Sequence, residues 1–180
     1  MSEKYKFRDL EGIYFVTTTI VGWIDLFTKP QYCELVLESI RFCQKEKGLN
    51  VHAWCIMSSH LHLIISSENN LSGIVRDFKT HTSKLIVKEL NDGTDGRKEW
   101  MLNLFYEAAI PLKRSKKYKV WKDGNHPVQL DTNDMLEERL NYIHQNPVKQ
   151  NCVVEPEHCY YSSAIDYAGQ KGLLDIIMIE

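Results

Sequence analysis

The sequence contains 180 residues, of which 43% are hydrophobic and 26% are charged, and its formal net charge is −2. This composition is typical of a globular domain, and the charge lacks the basic excess of many nucleic-acid-binding proteins. No apolar run approaches the roughly 18 residues of a membrane span, and the first residues lack the apolar segment of a secretory signal peptide. We therefore expect a cytoplasmic protein with a single domain over residues 1–180 and no membrane partner.

The first part of the sequence predicts a strand, a helix and then one or two further strands. Residues 13–20 are rich in β-branched and aromatic side chains, which is typical of a strand. An apolar stripe with helical spacing follows Pro30 and ends at Gly48, a residue type that commonly caps helices. Residues 50–66 are compatible either with a hairpin that turns at residues 58–59 or with one long bent strand.

The next part of the sequence predicts a long helix, an insertion and a short strand. Apolar residues recur at helical spacing over 71–90, and turn-forming residues fill 91–96. The pattern then predicts a short helix over 100–109 and a last strand over 118–121. The order β, α, β, β, α, insertion, β is that of a split β-α-β unit. We therefore predict an α+β, ferredoxin-like sandwich with an antiparallel sheet.

His60 and His62 lie two residues apart in one of the predicted strands. Successive side chains of a strand point to opposite faces, so both imidazoles project to one face while Leu61, Leu63 and Ile65 project into a core. Because the sequence has seven His residues, a pair with this spacing also arises by chance. A metal or catalytic site therefore needs further residues from elsewhere in the chain.

A helix near the C-terminal end supplies such residues. It begins at a cap residue, Asp131 or Asn133, carries an apolar stripe, and is predicted to end near Asn146 because Pro147 follows. Tyr142 and Asn146 are four residues apart and are therefore neighbours on the helix surface, beside the apolar stripe. Two imidazoles and an amide oxygen can hold a divalent metal that polarises a phosphate, which a tyrosine hydroxyl can then attack.

The motifs around these residues are similar, in the same order along the chain, to those of one known family. They are Met-Ser-Ser-His-Leu-His-Leu-Ile-Ile at 57–65, Gly-Asn-His-Pro at 124–127, Tyr-Ile-His-Gln-Asn-Pro-Val-Lys at 142–149 and Tyr-Ser-Ser-Ala at 161–164. The sequence resembles the HUH single-tyrosine transposases, and among them the REP-associated tyrosine transposases. The likeness covers most of the chain. Only residues 91–118 are expected to be an insertion peculiar to a subgroup.

This resemblance implies a metal-dependent endonuclease and strand transferase that cuts single-stranded DNA beside a hairpin and forms a 5′-phosphotyrosine. It implies Tyr142 as the nucleophile, with His60, His62 and Asn146 as ligands of Mg²⁺ or Mn²⁺. The expected partner is single-stranded DNA with a hairpin, bound by a monomer or a homodimer. Tyr142 would act either within its own subunit or across the dimer.

Basic residues are concentrated in the middle of the sequence. Between Arg76 and Lys122, twelve Lys or Arg residues stand against six Asp or Glu residues. A basic patch near a reactive centre can contact phosphates, although many solvated surface segments have the same composition. The candidate DNA-binding residues are Lys79, Lys84, Lys113, Arg114, Lys116, Lys117 and His126.

Two other functions stay open from the sequence. The first is a domesticated protein that binds DNA hairpins without cutting or transposing them, although a binder does not need His60, His62, Tyr142 and Asn146 together. The second is an RNA-processing phosphoesterase of the two-histidine type. Such an enzyme needs a second His-x-Ser/Thr motif, and the one match, at residues 81–83, falls in a predicted helix.

Overall fold

A computed structural model describes residues 7, 9, 12–111 and 117–179. Within them, four strands form one antiparallel sheet in the order β2-β3-β1-β4. The strands are β1 (Tyr14–Thr19), β2 (Asn50–Ile56), β3 (His60–Ser66) and β4 (Val128–Gln129). The helices are α1 (Pro30–Lys47), α2 (Leu71–Asp92), α3 (Lys98–Ala109), α4 (Asn133–Lys149) and α5 (Ala164–Tyr167), and short 3₁₀ turns lie at Val21–Trp23, Leu26–Thr28 and Pro156–His158. The predicted α+β sandwich is confirmed.

Different helices pack against the two faces of the sheet. Leu61, Leu63 and Ile65 of β3 are buried in the main core, which also contains the apolar faces of α1 and α2. The alternate residue Ile64 belongs to a second buried cluster, to which α4 contributes Ile143. Because side chains alternate along a strand, His60 and His62 share a face with Ile64. The His pair therefore lies on the face of the sheet that α4 covers.

The predicted hairpin and the first predicted helix are confirmed. Strands β2 and β3 form a hairpin, closed by a 2.8 Å hydrogen bond from the Met57 amide to the His60 carbonyl, so the alternative of one bent strand is wrong. Helix α1 begins at Pro30 and is capped by Gly48, whose φ of 69° is the left-handed conformation that glycine adopts without strain.

The predicted last strand at residues 118–121 is wrong. Of that segment, Trp121 makes a single isolated bridge to Ile20, and the fourth strand is instead β4, paired with Tyr14 and Phe15. Between the two pairings the chain loops away from β1 and returns one hydrogen bond to it, from the Thr17 amide to the Asn125 carbonyl at 3.1 Å. The edge of the sheet beside β1 is thus occupied by a loop as well as by a strand.

Helix α4 is longer than predicted. It continues through Pro147 to Lys149, and its N-cap is Thr132, whose hydroxyl accepts a 3.3 Å hydrogen bond from the Met135 amide. A proline removes one backbone N–H, but in the last turn of a helix that loss affects a single hydrogen bond. The following turn is closed by the Gln150 amide bonding to the Asn146 carbonyl at 3.1 Å. Asn146 consequently lies inside the helix.

The predicted insertion contains α3 and is anchored at its start. The buried carboxylate of Asp95 pairs with Arg97 and Lys29 and accepts a 3.0 Å hydrogen bond from the Tyr32 hydroxyl. These contacts connect the insertion to the beginning of α1. The single-domain organisation, and the interpretation of residues 91–118 as an insertion peculiar to a subgroup, stay predictions. No helix in the described part of the chain is long and apolar enough to cross a membrane.

Candidate metal and tyrosine site

Strand β3 brings two of the three predicted metal ligands, His60 and His62, into contact. The ring centroids of His60 and His62 are 4.6 Å apart, and the rings are nearly perpendicular to each other. Both side chains are buried, with relative exposures of 9% and 3%. The strand geometry expected from their spacing is therefore present, and the pair lies at the interface between the sheet and α4.

The imidazole of His62 is held in place from one side. Its Nδ1 atom shares a 2.9 Å hydrogen bond with the Thr17 hydroxyl of the neighbouring strand β1, and its ring stacks on Phe15 at a centroid distance of 5.6 Å. Its Nε2 atom is buried and has no hydrogen-bond partner among the described residues. When Nδ1–H donates to Thr17, Nε2 carries the free lone pair, which is the form that binds a metal.

Burial also favours the neutral form of both histidines. It lowers the pKa of His60 below its usual value, and burial together with the neighbouring His60 lowers the pKa of His62 to about 3. A neutral imidazole is the protonation state that ligates metals. Both side chains are therefore ready to accept a cation at neutral pH.

Helix α4 places the candidate nucleophile against this pair within the same chain. The Tyr142 ring lies 5.4 Å from the His62 ring and 5.8 Å from the Phe15 ring, both in edge-to-face contact. Tyr142 is 37% exposed, so its ring is packed while the site stays open to solvent. The guanidinium of Arg139 lies 5.9 Å from the Tyr142 ring and 5.4 Å from the Phe15 ring.

Asn146 lies one helical turn beyond Tyr142. It is buried, and its side-chain amide donates a 3.4 Å hydrogen bond to the Tyr142 carbonyl, which leaves its oxygen available as a ligand. Among the described residues no cluster of three His, Cys, Asp or Glu residues can hold a metal. The predicted ligands are two imidazoles and one amide, and neutral nitrogen and oxygen donors of this kind fit a divalent cation. The buried lone pair on His62 supports this fit.

Three neighbours of the site were not predicted from the sequence. Thr17 orients His62, Arg139 places a positive charge beside Tyr142, and Trp23 lies in edge-to-face contact with His60 at 5.9 Å. Arg139 and Tyr142 are three residues apart in a helix, a spacing that the sequence does show. Thr17 and Trp23 reach the site only through the pairing of β1 with β3.

Comparisons with known proteins agree with this architecture. Residues 24–108 match the family model described as IS200-like transposase. A solved structure of a REP-associated tyrosine transposase bound to a REP hairpin covers 100% of this chain and 96% of its own, with a TM-score of 0.63 and 18% identity. At that identity the likeness shows a shared fold. The sequence has no significant match among curated proteins.

A basic groove runs beside α2. It has a volume of about 410 Å³ and lies between α2 and residues 117–125. Six Lys or Arg residues and one Asp line it, among them the predicted DNA-binding residues Lys84 and Lys117. Lys122 lines the same groove and also lies 4.5 Å from the ring of Trp23. The groove thus leads towards the His pair.

The ammonium group of Lys79, a predicted phosphate contact, donates its hydrogen bonds within the chain. It donates to the Lys122 carbonyl at 2.8 Å, the Gly124 carbonyl at 3.0 Å and the Asn125 side-chain oxygen at 2.9 Å. Burial lowers the pKa of Lys79 to about 8. An ammonium has three N–H donors, so this geometry favours a role in holding the loop beside β1 over the predicted phosphate contact.

The remaining predicted DNA-binding residues have different positions. His126 is exposed and adopts a φ of 42° in the loop before β4. Lys113, Arg114 and Lys116 lie outside the described residues. A contact between these four residues and DNA stays a prediction.

Proposed function

We propose that this chain is a metal-dependent, single-strand DNA endonuclease and strand transferase that forms a 5′-phosphotyrosine at sites flanked by DNA hairpins. The observation that carries the proposal is the contact of the Tyr142 ring with His62, whose buried Nε2 has no partner among the described residues. The match to IS200-like transposases and the likeness to a REP-associated tyrosine transposase bound to a REP hairpin support the same function.

In this proposal His60, His62 and Asn146 hold Mg²⁺ or Mn²⁺. A divalent cation held there supplies Lewis acidity to a phosphate oxygen. The Thr17 hydroxyl holds Nδ1 of His62 at 2.9 Å, and when it accepts from Nδ1–H the lone pair is on Nε2. Phe15 and Tyr142 pack against the His62 ring and limit its rotation.

Tyr142 is the nucleophile of the proposed step. Its hydroxyl oxygen attacks the phosphorus and forms a new P–O bond, while the bond from phosphorus to the 3′ oxygen breaks. The phenolic proton ends on the released 3′-hydroxyl, so one ester is exchanged for another and no water is consumed. The reverse attack, by a 3′-hydroxyl, rejoins a strand. The guanidinium of Arg139 lies 5.9 Å from the centre of the Tyr142 ring, and its positive charge would offset negative charge that develops on the phosphate and phenol oxygens.

The position of α4 supports action within one subunit. Tyr142 contacts the His62 ring of its own chain, and the segment that joins β4 to α4 is only three residues long. A monomer therefore contains the whole proposed donor set and the nucleophile. A homodimer would have two such sites.

The geometry disfavours the RNA-processing alternative. His81 is exposed on α2 and stacks on Phe42, and the Thr82 hydroxyl bonds to the Phe78 carbonyl and accepts a hydrogen bond from the Trp121 indole. The side chains that would form the second motif of a two-histidine phosphoesterase therefore make packing contacts and hydrogen bonds on α2. They do not face a phosphate together with His60 and His62.

A covalent-adduct assay tests the proposal. End-labelled hairpin DNA with a single-stranded flank is incubated with the protein and Mn²⁺ or EDTA, and a protein–DNA band is sought on a denaturing gel. We expect a Mn²⁺-dependent band that Tyr142→Phe abolishes, while hairpin binding persists. Tyr160→Phe is the matched control because Tyr160 is also exposed but lies outside the site.

Two results would support the rival functions. Tight hairpin binding without any adduct in the unaltered protein would favour the domesticated binder. Cleavage of the matching RNA strand in place of the DNA strand would favour an RNA-processing enzyme.

A further inference from the structure

Trp23 lies beside the proposed metal site with a large part of its indole in solvent. It contacts His60 edge to face at a centroid distance of 5.9 Å, yet 59% of its surface is exposed. We propose that Trp23 is a stacking platform for an unpaired DNA base next to the phosphate that reaches the His pair. This inference rests on the proposed function and assigns the residue that receives the single-stranded flank.

The backbone holds Trp23 in this position by specific contacts. Trp23 has a φ of 57° and follows Gly22, whose φ is 68°, so two successive residues of the 3₁₀ turn are left-handed. For a bulky residue such as Trp this conformation is strained, and it persists only where the surroundings impose it. The Val21 amide bonds to the Val120 carbonyl at 2.8 Å, and the Leu104 side chain of α3 lies directly against Gly22. The turn is therefore fixed from two sides.

The surroundings of the indole leave it suited to stacking. The ammonium of Lys122 lies over the ring, 4.5 Å from its centroid, and the planes of the Trp23 and His60 rings are nearly perpendicular. A base would stack on the face of the indole opposite Lys122. Aromatic rings that bind single-stranded nucleic acid stack on the π-face that every base offers, and neighbouring cations follow the backbone. Trp23 combines both features within contact distance of a proposed metal ligand.

The basic groove continues from the same point. Lys122 borders both Trp23 and the groove between α2 and residues 117–125. A DNA strand that leaves the His pair over Trp23 would place its next phosphates along Lys122 and towards Lys84 and Lys117. This path joins the reactive centre, an aromatic platform and a positive surface without a break.

A second exposed tryptophan provides the matched control. Trp100 on α3 is 55% exposed, which is close to the value for Trp23. Exposure of an indole by itself would give both residues the same effect on DNA. A difference between them would report the position beside His60.

The test compares the affinity for two DNA probes, a hairpin with a single-stranded flank and the same hairpin without it. For Trp23→Ala we expect about 5- to 100-fold weaker binding of the flanked hairpin, which is the usual contribution of one base stacked on an aromatic ring. Binding of the blunt hairpin should be unchanged, Trp23→Phe should restore most of the affinity, and Trp100→Ala should bind both probes normally. The fluorescence of 2-aminopurine placed in the flank should be quenched when the unaltered protein binds and should stay high when Trp23→Ala binds.

The outcomes separate this inference from the proposed function. Binding of the flanked hairpin by Trp23→Ala within twofold of the unaltered protein overturns the inference, and so does an equal loss with both probes. A covalent adduct alongside either result leaves the proposed function standing. Flank-selective loss in Trp23→Ala without any adduct in the unaltered protein would support the platform and refute the nuclease. An unchanged melting temperature of Trp23→Ala confirms that the variant is folded.

Discussion

Replacement of Thr17 by valine tests whether the orientation of His62 matters. The substitution keeps the shape of the side chain but removes the hydroxyl that lies 2.9 Å from His62 Nδ1. His62 is 3% exposed, so water does not easily replace the lost partner. A buried polar group left unpaired costs about 1–3 kcal/mol, and loss of such a supporting contact weakens metal sites about 10- to 100-fold.

We therefore expect Thr17→Val to lower the free energy of unfolding by about 1–2 kcal/mol. Its affinity for Mn²⁺, measured by calorimetric titration, should fall by about 10-fold or more. Thr17→Ser retains a hydroxyl and should restore most of the affinity. Thr19→Val is the matched control, because Thr19 faces His60 across the same strand pair but its side chain has no hydrogen bond to another described residue. Equal Mn²⁺ affinities in all four proteins would refute the proposed orientation of His62.

Two further predictions concern stability. Lys79→Met removes a half-buried ammonium that donates three hydrogen bonds to the loop beside β1. We expect the free energy of unfolding in urea to fall by about 2–3 kcal/mol and proteolysis at residues 122–125 to be faster. Lys84→Met, on the exposed side of α2, is the control and should leave both unchanged. Burial lowers the pKa of His144 from 6.5 to about 4, so between these two pH values the unfolded chain binds more protons than the folded chain. In EDTA, the free energy of unfolding should therefore decrease by up to about 3 kcal/mol as the pH is lowered from 6.5 to 4. His144→Gln should show a flatter profile, and an identical profile would contradict the assignment.

Local patterns in the sequence were sufficient to predict the strand that carries His60 and His62. The alternation of His60, His62 and Ile64 with Leu61 and Leu63 predicted two faces, and both are present in β3. Each of these predictions depends on interactions between residues close together in the chain.

The predictions that were wrong depend on distant contacts. Residues 118–121 have strand-forming side chains, but Lys79 draws the following loop towards α2, and the pairing with β1 stops after one bridge. Pro147 is tolerated because it falls in the last turn of α4. The positions of Thr17 and Trp23 at the site follow from the register of β1 against β3, which no local pattern specifies.

The most direct test of the central claim is to identify the residue that becomes attached to DNA. Hairpin DNA with a single-stranded flank is incubated with the protein and Mn²⁺, and the product is digested with nuclease and protease and analysed by mass spectrometry. We expect a nucleotide joined through its 5′-phosphate to the peptide that contains Tyr142. A nucleotide on any other residue, or strand cleavage that leaves no covalent adduct, would contradict it.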